Sequence, residues 1–194
     1  MVPASSGGKV PMKIACILLA SGFGRRYGGN KLLTLWEGTP LYRRAFAALP
    51  PALFSPAVVT SQYGQILVDA AKSGYLPIQN CHPWEGVAAG IRLGLQAAWH
   101  SDGALFAVCD QPNLTTNSII KLLNAFQESP DRIHALAWQG KKGNPVVFPK
   151  ALYPELMALS GDTGGSAVIR AHRDLLTLTE VSDPAELVDV DTPG

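Results

Sequence analysis

The chain has 194 residues, of which 47% are hydrophobic and 16% charged, and its formal net charge is +1 at pH 7. This length is that of one domain able to bury a substantial core, and a charge near zero excludes a global field that would hold nucleic acid or an anionic membrane. No window approaches the roughly 20 apolar residues of a membrane span, so we expect neither nucleic acid nor membrane as a partner.

The N-terminal segment and the cysteines indicate where the protein works. Residues 1–12 are rich in Ser, Gly and Pro and contain no continuous apolar core, which predicts a flexible leader rather than a secretory signal. We assign residues 13–194 to a single domain. Cys16, Cys81 and Cys109 are scattered and form no CxxC pair, so neither a disulfide framework nor a zinc site is expected. These features fit a reducing cytoplasm.

Short apolar runs alternate with segments of helical spacing along the rest of the chain. The run KIACILL at 13–19 has no polar face, as in a strand buried on both sides. In chain order the pattern predicts a strand over 13–19, a helix over 40–48, strands over 57–60 and 76–79, a helix over 86–99, a strand over 104–109, a helix capped by Thr115 or Thr116, strands over 135–138 and 145–148, helices over 151–159 and 166–172, and strands over 175–181 and 187–190.

This alternation predicts the fold class. Strands separated by helices form βαβ units, and hence a three-layer, Rossmann-like α/β domain with a mostly parallel sheet covered by helices on both faces. In such sheets ligands bind beyond the carboxyl ends of the strands. Two loops occupy that position: a glycine-rich loop after the first strand, and the turn at Asp110.

The glycine-rich loop lies in the stretch LLASGFGRRYGGNK at 18–31. A dinucleotide-binding fingerprint requires GxGxxG, but Tyr27 stands in place of the third glycine. A Walker loop requires Gly-Lys followed by Ser or Thr, but Asn30 precedes Lys31 and Leu32 follows it. The loop is therefore neither of these two phosphate-binding motifs.

Its composition still favours an anion. Glycines allow backbone N–H groups to turn toward an anion, and Arg26 and Lys31 supply positive charge for several phosphate oxygens. The alternative is a surface loop whose cations only keep it hydrated. We favour phosphate binding because the cations and glycines follow directly after a buried strand.

Three aspartates are candidates for a metal site. Asp110 ends a buried strand, and Pro112 prevents the strand from continuing; a carboxylate there is suited to magnesium carrying a triphosphate, although an aspartate leading into a helix is the alternative. Asp189 and Asp191 are two positions apart, so on a strand they share a face, where a cation between them would relieve their repulsion. A solvated strand end is the alternative for that pair.

The loop resembles the signature LAxGxGxRxGxxK of the MobA-like nucleotidyltransferases, and among them especially the molybdenum cofactor cytidylyltransferases. Arg26 and Lys31 match the signature cations, and Arg25 falls at a variable position. CDQP resembles the family's DxP metal motif, which implies that Asp110 is catalytic together with Arg26 and Lys31. The DTP segment resembles the part that completes the Mg²⁺ site, with Asp191 the first choice and Asp189 the second.

The likeness continues through most of the chain. The segment 80–95 resembles the part that holds the base and sugar, with Gly86 matched and Gly90 in place of the usual serine. KGNPV resembles GHPV with Asn144 for histidine, and GDTGG resembles GDxGAR with Ser166 at the arginine position. The resemblance implies nucleotide contacts at Leu19, Ala20, Ser21, Gly22, Gly24, Arg26, Lys31, Asn80 and Gly86, and acceptor contacts at Asn144, Asp162 and Gly164.

The resemblance implies an Mg²⁺-dependent enzyme that joins the nucleoside monophosphate of an NTP to the phosphate of molybdopterin and releases pyrophosphate. The small side chain of Ser21 favours CTP, since cytidylyl members carry alanine there and guanylyl members glycine. A molybdoenzyme that receives the product is a further expected partner. A guanylyl transferase, a sugar- or alditol-phosphate nucleotidyltransferase and a non-catalytic molybdenum-cofactor carrier stay open as alternatives.

Overall fold

The computed structural model describes residues 11–22 and 30–190 and has an α/β fold. Its strands are β1 (Ile14–Leu19), β2 (Leu35–Trp36), β3 (Thr39–Pro40), β4 (Ala57–Ser61), β5 (Leu76–Gln79), β6 (Gly103–Val108), β7 (Ile133–Trp138), β8 (Lys141–Pro149) and β9 (Leu176–Glu180). Its α-helices are α1 (Leu41–Ala48), α2 (Gly64–Lys72), α3 (Val87–Ala97), α4 (Thr116–Glu128), α5 (Tyr153–Met157) and α6 (Ser166–Ala171). Short 3₁₀ helices cover Lys31–Leu33, Pro51–Leu53, Pro83–Glu85, Lys150–Leu152, Arg173–Leu175 and Pro184–Leu187.

Strand β1 shows why the domain has three layers. Its side chains alternate between two cores: Cys16 and Leu18 belong to one, and Ala15 and Ile17 to the other. Because neighbouring strand residues point to opposite faces, a strand without polar residues requires a helical layer on each side. Helices α1, α2 and α4 cover the first face, and α3, α5 and α6 cover the second.

The seven-stranded sheet has the order β5-β4-β1-β6-β8-β7-β9, and β8 alone runs antiparallel to its neighbours. This confirms the predicted mostly parallel sheet. Leu19 pairs with both Thr60 and Val108, so β1, β4 and β6 end nearly level with one another. The loops that follow these strands therefore meet at one edge of the sheet.

Strand β8 brings its beginning to that same edge. Phe106 of β6 pairs with Val146 of β8, and the two strands run in opposite directions. Residues 141–144 therefore lie at the edge where the parallel strands end. Because β8 runs antiparallel to β6, the predicted acceptor residue Asn144 lies at the same edge as the loops that follow β1, β4 and β6.

Two elements of the structure have no counterpart in the sequence prediction. Helix α2 buries only Ile66 and Ala70, and no side chain caps its start, so its local signal is weak. Strands β2 and β3 form a hairpin of two-residue strands around Glu37 and Gly38, which both have positive φ. None of the helices within 11–22 and 30–190 is long and apolar enough to cross a membrane.

The predicted strand over 187–190 is wrong, because Leu187 ends the 3₁₀ helix Pro184–Leu187 and residues 188–190 belong to no strand. Buried Glu186 accepts hydrogen bonds from the N–H and hydroxyl of Thr115, the residue that caps α4, at 3.1 and 2.7 Å. The Val188 N–H then donates back to the Ala185 carbonyl. These contacts hold the 3₁₀ helix Pro184–Leu187 against the start of α4.

Candidate active site

A cleft of about 420 Å³ opens at the edge where β1, β4 and β6 end. Strand β1 has a parallel neighbour on each side, and the crevice beyond such a strand is where open α/β sheets bind ligands. The lining of the cleft combines apolar side chains and glycines with two carboxylates and a lysine. The described lining residues are Leu19, Ser21, Gly22, Lys31, Leu32, Thr60, Pro83, Gly86, Val87, Gly90, Val108, Cys109, Asp110 and Asp162.

The start of the glycine-rich loop is anchored to the end of β4. Three consecutive side chains donate hydrogen bonds to three consecutive carbonyls: Ser61 to Ala20 at 2.8 Å, Gln62 to Ser21 at 2.8 Å and Tyr63 to Gly22 at 3.0 Å. The Ala20 N–H in turn donates to the Thr60 carbonyl at 2.9 Å. This ladder determines the path of the chain from β1 into the loop, and the sequence prediction did not include it.

Lys31 and Asp110 meet in the cleft although they come from different loops. The Asn30 side chain accepts a hydrogen bond from the Leu32 N–H at 3.1 Å and so caps the 3₁₀ helix that Lys31 begins. Lys31 Nζ donates to Asp110 Oδ2 at 3.0 Å, and both side chains are largely buried. The predicted phosphate-binding cation and the predicted metal-binding carboxylate are thus brought together.

Asp110 also presents an oxygen that fits a cation. Its Oδ1 is buried and has no hydrogen-bond partner among the described residues, a condition that costs about 1–3 kcal/mol for a buried polar atom. Within 11–22 and 30–190, no three His, Cys, Asp or Glu side chains form a metal cluster of their own. Magnesium commonly takes one or two protein carboxylates together with substrate phosphates, so Asp110 fits that chemistry.

The DVD segment passes beside Asp110. The Val190 N–H donates to the Asp110 carbonyl at 2.9 Å, and the Val190 side chain is buried. Asp189 is exposed and is not among the residues that line the cleft. Asp191 lies outside the described residues, so its role as a metal ligand stays a prediction.

Gly86 joins the cleft to the loop at 161–165. Its φ is +77°, and a Cβ atom there would overlap the Gly161 carbonyl and lie 2.5 Å from Asp162 Oδ1. The Ala88 N–H at the start of α3 donates to the Gly161 carbonyl at 3.1 Å. Glycine is therefore required at this position, and the contact places Asp162 in the cleft wall.

Gly90 and Thr60 form a second close approach. A Cβ atom on Gly90 would lie 3.2 Å from Thr60 Oγ1 and 3.3 Å from Leu19 Cδ2, so the serine of the resembling family would require its neighbours to move. Thr60 Oγ1 is buried in the cleft wall without a hydrogen-bond partner among the described residues. The sequence prediction missed Thr60, although a polar residue ending a buried strand was the signal that identified Asp110.

The cysteine in the cleft does not have the properties of a nucleophile. Cys109 is buried, and burial together with the neighbouring Asp110 carboxylate raises the pKa of its thiol well above the usual range. The thiol therefore stays protonated at neutral pH, whereas a thiolate is the reactive form. This arrangement favours direct transfer over a covalent intermediate on cysteine.

A second pocket of about 160 Å³ adjoins the cleft and shares Leu19, Val87 and Val108 with it. It lies between the sheet and helices α5 and α6. Asn144 and Ser166, where the chain departs from the GHPV and GDxGAR segments of the resembling family, both line this pocket, together with Gly164 and Lys142.

The residues predicted from the sequence divide into four groups. Those in the cleft are Leu19, Ser21, Gly22, Lys31, Gly86, Asp110 and Asp162. Those in the second pocket are Asn144 and Gly164. Ala20, Asn80 and Asp189 line neither space, and the buried Asn80 side chain instead accepts a hydrogen bond from the His82 N–H at 3.0 Å. Gly24, Arg26 and Asp191 lie outside the described residues.

Known proteins share both the sequence pattern and the fold. A model of the MobA-like NTP transferase domain matches residues 16–175. The chain is 29% identical to nicotine blue oxidoreductase of Paenarthrobacter nicotinovorans over 91% of each chain. It is 28% identical to molybdenum cofactor guanylyltransferase of Aliivibrio fischeri strain MJ11, over 94% of this chain and 93% of the relative. The crystal structure of Rv0371c from Mycobacterium tuberculosis has a TM-score of 0.76 at 20% identity, covering 93% of this chain and 94% of that one.

Proposed function

Because the chain belongs to the MobA-like NTP transferase domain family, we propose that it transfers the nucleoside monophosphate of an NTP to the phosphate of molybdopterin and releases pyrophosphate. The observation that carries this proposal is the contact of Lys31 with Asp110 in the cleft, at 3.0 Å. A cation for phosphate and a carboxylate for Mg²⁺ at one point suit a metal-bound triphosphate. The protein would act in the cytoplasm.

The proposed chemistry is a direct displacement. A phosphate oxygen of the acceptor forms a new bond to the α-phosphorus, the bond from that phosphorus to the bridging oxygen breaks, and pyrophosphate leaves with the electron pair. The attacking phosphate is ionised at neutral pH, so no general base is needed. Catalysis then rests on alignment and on charge neutralisation, as in other phosphoryl transfers.

Each candidate residue has a role in this proposal. Arg26 and Lys31, with the amides of the glycine-rich loop, would bind and neutralise the leaving pyrophosphate. Asp110 and Asp191 would hold Mg²⁺, with Asp189 as the second choice for the latter position. When bound, Mg²⁺ supplies charge neutralisation at the reacting phosphates.

For the nucleotide we propose CTP, on the basis of Ser21. This residue lines the cleft and its hydroxyl donates to the Thr60 carbonyl at 3.3 Å, so its side chain occupies space that a glycine would leave open. The Aliivibrio fischeri relative is named a guanylyltransferase, so GTP is the competing substrate. The product would be handed to a molybdoenzyme.

The test is pyrophosphate release by the full chain with CTP, GTP, ATP or UTP, each with Mg²⁺ and with or without molybdenum cofactor. We expect release that requires the cofactor and is fastest with CTP. A preference for GTP would replace CTP while leaving the reaction class intact. Absence of release under every pairing, with nucleotide binding retained, would support the carrier alternative and contradict the enzyme.

Two controls sharpen this test. Lys31→Ala is expected to abolish stabilisation by NTP in thermal unfolding, whereas Lys13→Ala, at an exposed lysine preceding β1, is expected to leave it unchanged. The same preparations are assayed for oxidation of NADH and NADPH, because the Paenarthrobacter relative is named an oxidoreductase. Hydride transfer without pyrophosphate release would also contradict the proposal.

A further inference from the structure

Lys142 is a half-buried cation in the second pocket. Its ammonium donates to the Gly143 carbonyl at 3.4 Å, and no carboxylate of the described residues forms an ion pair with it. Burial lowers the pKa of Lys142, and among the residues that the structure describes no acid opposes that shift. Because a desolvated ammonium without a counter-ion is unfavourable, such a lysine is suited to receive an anion from a ligand.

Apart from Lys142, Asn144 and Ser166, the pocket is lined by apolar side chains and glycines. Its wall is built from large hydrophobic side chains of the sheet and of the helices that cover it: Ile91, Phe106, Val146, Phe148, Leu156 and Ile169. An apolar cavity of roughly 150 Å³ accepts a benzene-sized molecule, and this pocket has about 160 Å³. The space therefore matches one ring, with polar contacts from Lys142, Asn144 and Ser166.

The loss of an arginine gives Lys142 its importance. Ser166 stands where the resembling family has arginine, so α6 brings no cation to this pocket from that position. Lys142, on β8, lines the same pocket. The positive charge thus comes from the sheet instead of from the helix.

We propose that Lys142 is a further acceptor-binding residue: in the second pocket, where the family resemblance implies acceptor contacts at Asn144 and Gly164, its ammonium binds an oxyanion of the acceptor while a ring next to that oxyanion lies against the apolar wall. The assignment of the bound molecule as acceptor rests on the proposed function. A phosphate ester and a carboxylate share the oxyanion chemistry. Lys142 touches the substrate in this arrangement and positions it beside the cleft through the shared wall at Leu19, Val87 and Val108.

Binding of small probes to the full chain tests this directly. Phenyl phosphate and benzoate combine a ring with an oxyanion, whereas phenol lacks the charge and inorganic phosphate lacks the ring. By titration calorimetry we expect phenyl phosphate or benzoate to bind at least tenfold more tightly than phenol or inorganic phosphate. Phenyl phosphate should be the tighter of the two, because the acceptor of the proposed function carries a phosphate; tighter binding of benzoate would keep the role of Lys142 and contradict that acceptor. Equal binding of all four, or tightest binding of phenol, would overturn the proposal.

The matched variants are Lys142→Met, Lys142→Arg and Lys141→Met. Lys141 is the exposed neighbour on the same strand and points to the opposite side. We expect Lys142→Met to weaken the charged probes about tenfold or more, since charge-assisted hydrogen bonds are among the strong ones. Lys142→Arg should recover most of that binding and Lys141→Met should not reduce it. An equal loss in both methionine variants would contradict the assignment.

Two further measurements separate binding from structure and from the proposed reaction. Without ligand, Lys142→Met should unfold at the same or a higher temperature, because a desolvated charge is removed; a lower temperature would mark Lys142 as structural. The affinity for CTP should change less than twofold. If the probes bind through Lys142 but no pyrophosphate is released with any NTP, the pocket assignment stands and the proposed function fails.

Discussion

The cleft, which is the proposed nucleotide side, and the second pocket, which is the proposed acceptor side, reach the same edge of the sheet by different routes. On the nucleotide side, β4, β1 and β6 are parallel and their carboxyl ends carry Thr60, Ser21 and Asp110 into the cleft. On the acceptor side, antiparallel β8 brings its beginning to that edge, with Lys142 and Asn144. The residues that line the cleft therefore lie at or just after the ends of parallel strands. Those of the second pocket lie at the beginning of β8, before its buried part.

The chemistry of the two sides differs as well. The cleft contains an ion pair, the anchored start of the glycine-rich loop at Ser21 and Gly22, and buried polar atoms without partners among the described residues. The second pocket is a small apolar space with a single lysine, and it contains two departures from the family pattern. Two enzymes that perform the same transfer on different acceptors would have the same cleft and different second pockets. Substitutions can therefore perturb the cleft and the second pocket separately, except at the wall that they share.

The close approach of Gly86 to the loop at 161–165, which lines both spaces, is the contact most sensitive to substitution. Gly86→Ala would force an L residue into a positive φ and push Cβ into the Gly161 carbonyl. Strain of this kind costs roughly 1–3 kcal/mol, and overpacking adds a similar amount. We expect a large fall in the free energy of unfolding, measured by urea denaturation, and loss of both nucleotide and probe binding.

Gly164→Ala is the control for that substitution. Its Cβ would lie 3.7 Å from Val87 Cγ1, an ordinary contact in the same loop region. We expect little change in stability. Similar stability losses in both alanine variants would mean that the loop, and not its close approach at Gly86, determines the effect.

Asp110→Asn tests the nucleotide side alone. The substitution keeps the side-chain shape but removes the charge that pairs with Lys31. We expect the rate of pyrophosphate release to fall by about 10²–10³-fold, as for loss of a group that stabilises developing charge, with phenyl phosphate binding unchanged. Asp131→Asn, at an exposed position before β7, serves as control and should retain full activity.

A compensating change tests the acceptor side. Adding Ser166→Arg to Lys142→Met returns a cation to the second pocket from α6, so it should recover most of the roughly tenfold loss of oxyanion binding. Ala171→Arg lies on the same helix at an exposed position and should not rescue binding. Rescue by both arginines would indicate a long-range charge effect in place of a contact. Calorimetric titration with phenyl phosphate measures the recovery.

The smallest expected effect is a pH dependence of stability at His134, which packs against Phe126 of α4 on the face of the sheet opposite the second pocket. Burial lowers the pKa of His134, whose Nε2 lies 2.9 Å from the Ser129 carbonyl oxygen. The unfolded chain therefore binds more protons than the folded one as pH falls below about 6.5, so the free energy of unfolding decreases toward acid, by at most about 1.4 kcal/mol per pH unit. His134→Gln should reduce this slope between pH 7.5 and 5, and His100→Gln, at an exposed histidine, should leave it unchanged.

Local sequence was sufficient for most strands of the main sheet and for the placement of Lys31 and Asp110 at one edge of it. Strand β1 is apolar at every position, and such a run has one favourable environment, between two helical layers. Lys31 and Asp110 follow buried strands, and the carboxyl ends of parallel strands meet at one edge. Their proximity could therefore be predicted before the structure, although their direct contact could not.

The wrong strand prediction at the end of the described chain arose because a contact distant in sequence sets the local conformation. Residues 187–190 have a strand-like pattern, but the contact of Glu186 with Thr115, 71 positions away, holds the 3₁₀ helix that ends at Leu187, and no strand follows it. Periodicity reports which residues are apolar, and it contains no information about partners remote in the chain.

The second pocket depends most on the tertiary structure. Its walls come from β6, β8, α3, α5 and α6, and its lysine matters because no acidic partner lies near it in the described chain. The sequence contained the residues of the nucleotide side as short motifs, because phosphate is bound by neighbouring loop atoms. Binding of an apolar ring requires a cavity, and a cavity exists only after distant segments have packed around it.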